Sequence, residues 1–137
     1  MRREIVVNFG KATATVREIR PVDLKRAITR LTMDDDRAMS EITAEEWDSA
    51  LLNSSDLISI DGECDLAVVR QYFSTINYSF FKPNSGLVGR GAAGSLLQSE
   101  KNLNSLCIFL THKGHGDCWH YGWSYFLAVQ KWYEESR

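Results

Sequence analysis

The sequence predicts an α+β domain, mainly helical, in which an N-terminal β-hairpin is followed by four to five packed helices. Three observations predict it. "EIVVNFGKATATVREI" alternates apolar and polar residues about a Gly10-Lys11 turn, which reads as a hairpin over residues 3–19. Leu24, Ala27, Ile28 and Leu31 then recur at i, i+3, i+4 and i+7, one face of a helix. Finally, Thr43 with Glu46 and Ser95 with Gln98 make capping-box patterns, each opening an apolar run.

A helical part is expected over 21–79. Pro21 suits a first helical turn, where a missing N–H costs nothing, and Asp23 complements the helix dipole there. "MDDDRAMSE" is a polar break. Ile42 and Trp47 occupy the staple positions around the Thr43–Glu46 box, and Trp47, Ala50 and Leu51 give that helix an apolar face. "LISI", residues 57–60, fits either a short strand or a buried loop. After an Asp61-Gly62 turn, Leu66, Val69, Phe73 and Ile76 recur at three- and four-residue steps, indicating a third helix. "FFKPNSGLVGRGAAGS", residues 80–95, is dense in glycine and proline and reads as a flexible connector. A C-terminal helical pair follows over 96–135. Its first member runs through Leu96, Leu97, Leu103, Leu106, Cys107 and Leu110, and its second from about Cys118 to Glu135, with Trp119, Trp123, Phe126, Leu127 and Gln130 in step. The whole of 1–137 is expected to be a single domain.

With 137 residues, 44% of them apolar and 25% charged, the chain can bury a core without cross-links. No apolar run approaches the roughly 18–20 residues of a membrane-spanning helix, and "MRREIVVNFG" reads as a β-like start, not a signal-peptide core. An odd, scattered cysteine set (Cys64, Cys107, Cys118) argues against a disulfide framework. The expectation is a cytoplasmic, reduced protein. The net charge of −2 conceals blocks: residues 1–30 carry +5, residues 31–66 carry −10 and the remainder +3. Such polarity either steers self-association or a charged partner, or forms the solvated faces of adjacent helices.

Chemistry has few candidates. "GRGAAG", Gly89 to Gly94, matches the dinucleotide fingerprint, but Pro83, Asn84 and Gly86 precede it where a strand is required. His112, His115, Cys118 and His120 offer zinc donors within one corner. A helix corner accounts for the same stretch: Lys113 and His112 at a helix C-terminus, Gly114 as its left-handed terminator, Asp117 as the next cap. Cys118 and His120 stand two apart and would point away from each other on a helix, so a nucleophile–base pair is not indicated. Carboxylates in 34–36 and 45–48 are most simply solvating charge. Neither an enzyme nor any cofactor is implied. The acidic balance and the lack of interleaved aromatic and basic residues disfavour nucleic acid. What stands out is aromatic: Phe80 and Phe81 beside the connector, and Trp119, Trp123, Phe126 and Trp132 toward the C-terminus. These six are the candidates for binding a protein partner, with core packing as the other reading.

"GKATATVREIRPVDLKRAI", residues 10–28, resembles the opening of the tail assembly chaperones of long-tailed bacteriophages: a strand pair with a "tVREl" phrase, then a helix near "t/p-v-x-d-l". The segment 103–136 is similar to their ending, where a helix and loop lead to a "GW-s" phrase and a final amphipathic helix. Gly122, Trp123 and Ser124 are the matching residues. The resemblance implies a non-enzymatic protein of the host cytoplasm that binds the long, apolar, helical tape-measure protein during tail morphogenesis, and that self-associates. The alternative from another class is a small zinc-binding or nucleic-acid-associated regulator built on the His112–His120 corner and the basic N-terminal region.

Overall fold

A computed structural model describes residues 1–52, 56–81 and 94–135. Strands β1 (Glu4–Asn8) and β2 (Thr13–Arg17) form the expected hairpin, with Ile5 opposite Val16 and Val7 opposite Ala14. Residues directly opposite share a face of the sheet. Ala14 and Val16 are buried on the core side, while Val6, on the outer side, is exposed. "LISI" contributes a strand: β3 (Ile58–Asp61) pairs antiparallel with β2, Ile58 opposite Val16, and the sheet runs β1-β2-β3. The hairpin is therefore extended by a strand from much later in the chain, and β2 is central.

The helices are α1 (Pro21–Leu31), α2 (Ala44–Leu52), α3 (Leu66–Ile76), the single turn α4 (Tyr78–Phe81), α5 (Leu96–His112) and α6 (Trp123–Glu135). The molecule is thus α+β and mainly helical. Helix α1 buries Leu24, Ala27 and Ile28 and packs against α2 and α5. The capping box of α2 is reciprocal: the Glu46 N–H donates to Thr43 Oγ1 (3.1 Å) and the Thr43 N–H to Glu46 Oε1 (3.3 Å). Helix α3 buries Val69, Phe73 and Ile76, but Leu66, at its first position, is 60% exposed. Ser95 caps α5 by accepting from the Gln98 N–H (3.1 Å), while the Gln98 side chain donates to Asn102 and does not close the box.

Much of the acidic block works at helix ends and opposite arginines, not as free solvated charge. Asp36 accepts from the Leu97 N–H (3.2 Å), Asp65 caps α3, Glu46 pairs with Arg37, and Asp48 pairs with Arg70 (3.1 Å). Orphan amides and the positive end of the dipole make helix N-termini natural places for carboxylates.

A single apolar core runs from the sheet to α6. Through it passes a chain of rings: Trp47 against Phe80 (6.4 Å between centroids), Phe80 against Trp123 (5.1 Å), and Trp123 against Phe126 (5.4 Å). Full burial of each such side chain stabilises the fold by about 1.5–3 kcal/mol. The expected connector, 80–95, begins inside α4. It ends where the Met39 N–H donates to Gly94 O (2.9 Å) and the Leu96 N–H to Arg37 O (2.8 Å). Most of "GRGAAG" and the rest of that connector, residues 82–93, lie outside the described residues.

Candidate partner-binding site

Two distant stretches of chain meet at Glu18, just after β2. This residue is 1% exposed. Its carboxylate accepts from the Arg3 N–H (3.1 Å), Arg3 Nη2 (3.2 Å), the Ser124 N–H (3.0 Å) and the Ser124 hydroxyl. Beside it the Gly122 N–H donates to Met1 O (2.7 Å) and the Trp123 N–H to Ile19 O (2.8 Å). The first amides of α6, which no helical carbonyl can reach, are thus satisfied by the N-terminal region. Gly122 permits the approach: a Cβ there would fall on the Glu18 carboxylate, 2.8 Å from its carboxyl carbon and 3.0 Å from Met1 O. Burial raises the Glu18 pKa, but the hydrogen bonds from Ser124 and Arg3 outweigh it and hold the group below its usual 4.5.

This arrangement corrects the expected start of the last helix. Cys118–His120 is a separate 3₁₀ turn, Asp117 makes no side-chain cap bond, and α6 begins at Trp123. A carboxylate from another part of the chain supplies the cap, so no local sequence signal could place it.

The polar seam continues inward. Asn77 is fully buried; it accepts from the Ile19 N–H (2.7 Å) and donates to Arg17 O (3.2 Å) and Phe73 O (3.1 Å). Asp23 is buried and receives the Arg20 N–H (2.9 Å) and both ends of the Arg20 guanidinium (3.0 Å each). Arg2 reaches from the N-terminus to grip Asp56 with two hydrogen bonds (3.1 and 2.9 Å). The hydrogen bond and charge of Arg2 hold the Asp56 carboxyl down at about 2, against the opposing effect of burial.

At the histidine corner, α5 ends in a Schellman motif. The Gly114 N–H donates to Thr111 O (3.1 Å) and the His115 N–H to Leu110 O (2.9 Å), with Gly114 at φ +97°. The four proposed zinc donors are not brought together. Cys118 is fully buried and its thiol donates to Cys107 O (3.6 Å), His112 and His120 are exposed, and His115 Nδ1 lies 2.7 Å from the Tyr121 hydroxyl. Among the described residues, no group of three or more His, Cys, Asp or Glu side chains is placed to hold a metal ion. Burial, reinforced by Asp117, pushes the Tyr121 phenol up to about 12, so it keeps its proton.

The six partner-binding candidates separate. Phe80 (2% exposed), Trp123 (0%) and Phe126 (0%) are core residues, which corrects their assignment to a binding surface. They are the largest of the fully buried side chains, and exposing them would dismantle the core. Phe81 is half-buried against Phe73 and Phe80. Trp119 is half-buried beneath the Lys25 ammonium, 4.9 Å from the ring centre. Trp132 is 61% exposed.

Trp132 belongs to an arrangement the spacing could have shown. Tyr125, Ala128 and Trp132 fall at i, i+3 and i+7, an exposed apolar stripe on α6 that meets the buried one of Trp123, Phe126 and Val129 along Val129. With Val129, His115 and Tyr133 the exposed stripe lines a cleft of about 390 Å³. Tyr133 is also a wall of a neighbouring cleft of about 380 Å³ that includes Leu106, Phe109 and Gln130. Edge-to-face contacts fix the rings: Tyr121 with Tyr125 (4.7 Å), His115 with Tyr133 (6.0 Å), Trp132 with Tyr133 (4.7 Å) and Phe109 with Tyr133 (5.6 Å). The paired clefts with an exposed Trp have the character of a surface for apolar side chains.

Compared with family models, curated proteins and solved structures, the chain matches none. No helix among the described residues is long and apolar enough to cross a membrane.

Proposed function

We propose that this protein is a non-enzymatic tail assembly chaperone that binds an apolar, helical tape-measure protein, with the aromatic clefts along α6 as its docking surface. The observation that carries the reading is the contact at Glu18. The resemblance, over 10–28 and 103–136, includes two phrases separated by most of the chain, "VREI" at 16–19 and "GWS" at 122–124. Glu18 of the first receives the Ser124 N–H and hydroxyl of the second, and Ile19 receives the Trp123 N–H. Two phrases bonded to each other this closely constrain each other, as parts of one pattern should. The clefts supply the rest: apolar side chains of a helix fit slots walled by Tyr125, Trp132 and Tyr133, with contacts spread over several rings.

Co-expression with the tape-measure protein of the same genome tests the reading. The expected result is that this chain keeps the tape-measure protein soluble and that both elute together in size exclusion. If the tape-measure protein stays insoluble and no complex forms, the reading fails.

A further inference from the structure

We infer that Cys107 and Cys118 form a dithiol that closes to an intramolecular disulfide when the protein meets a small-molecule disulfide such as oxidised glutathione, locking the 3₁₀ turn onto α5. Both residues are free thiols with no exposed surface. Cys118, in the turn, directs its Sγ to within 3.6 Å of the backbone oxygen of Cys107 itself, so the two residues are in direct contact. A disulfide needs the two backbones within side-chain reach and the Cβ vectors converging. The Cys118 side chain is packed against Cys107 through that 3.6 Å contact; burial raises the Cys107 pKa, and the neighbouring Cys118 raises it further.

Swinging the Cys118 sulfur from the carbonyl to its neighbour costs little hydrogen bonding. The Thr111 hydroxyl also donates to Cys107 O, at 2.7 Å, so the oxygen stays occupied. Cys118 is the entry point. It sits in a short turn between two helices, which opens locally at lower cost than the middle of the 17-residue α5. The Cys118 thiolate attacks one sulfur of glutathione disulfide, forming a mixed disulfide and releasing one glutathione. The Cys107 thiolate then attacks the Cys118 sulfur and releases the second. Two protein thiols give up two electrons and two protons, one disulfide is reduced to two thiols, and one disulfide is formed. Cys64 is half-buried and takes no part.

The test is to incubate folded Cys64→Ser protein with oxidised glutathione, quench with acid, denature without reductant, alkylate, and measure intact mass and peptides. The expected product has lost two hydrogens, takes up no alkylating agent, and yields a peptide joining Cys107 to Cys118. Recovery of two alkylated cysteines, or of a stable glutathione adduct without ring closure, overturns the inference. A Cys64→Ser, Cys107→Ser double variant separates entry from closure: it should stop at one glutathione on Cys118. If it takes up none, Cys118 is not the entry point and the proposed sequence is wrong.

Discussion

The seam around Glu18 and the aromatic corner of α6 share one helix and are built on opposite rules. At the seam, the buried polar side chains of Glu18, Asn77 and Asp23 are each matched. Together these side chains make ten hydrogen bonds, to the backbone, the Ser124 hydroxyl and two arginines. At the corner, aromatic rings stand partly in solvent and touch one another edge to face. An unmatched buried carboxylate is costly, so the seam tolerates one geometry only. Exposed rings lose little by changing neighbour. The first region is suited to fixing the fold and the second to meeting a partner.

Four substitutions or conditions would break or sharpen that contrast. The largest effect is expected within the aromatic set itself. Trp123→Ala should cost about 3–5 kcal/mol by leaving a cavity in the core, read as a drop in urea midpoint; a change below 1 kcal/mol would place Trp123 outside the core. At the seam, Glu18→Ala should cost roughly 1.5–3 kcal/mol, the range for hydrogen bonds to a charged group. It should also loosen the start of α6, seen as faster amide exchange at Trp123 and Ser124. Unchanged exchange there would mean that Glu18 does not cap the helix.

Acid should act next. Asp56 and Glu46 are both held at about 2, Asp56 first by the Arg2 hydrogen bond and Glu46 first by that of Arg37. A carboxyl depressed on folding binds fewer protons folded than unfolded, so its stabilisation is complete above its ordinary value near 4 and is lost as the pH falls toward 2. The urea midpoint should therefore fall across that window, and Asp56→Asn should flatten the slope. The same slope in the variant would remove Asp56 as a cause. The smallest stability effect belongs to Trp132→Ala, within about 0.5 kcal/mol because the ring is largely exposed. That variant should nevertheless weaken capture of the tape-measure protein in the co-expression assay. Full capture by a Trp132→Ala, Tyr125→Ala pair would move the docking surface elsewhere.

Local signals carried much of the fold. The hairpin, the stripe of α1, the Thr43–Glu46 box and the Gly114 terminator all depend on residues within a few positions of one another, and each forms as its spacing required. The candidate site was less legible. Trp119, Trp123, Phe126 and Trp132 look alike in sequence, and α6 carries two apolar stripes. Periodicity marks both stripes without saying which faces inward.

What the sequence by itself determined are the elements held by near-neighbour bonds: turns, caps within one segment, and helical faces. Tertiary structure alone decided three things: that "LISI" would join β2 as a third strand, that α6 would wait until Trp123 to begin, and that the Trp123 stripe would be core and the Trp132 stripe surface. The reason is the same for all three. Each depends on a group far along the chain, the free edge of β2, the Glu18 carboxylate or the Phe80 ring, and no local pattern records which distant partner will arrive.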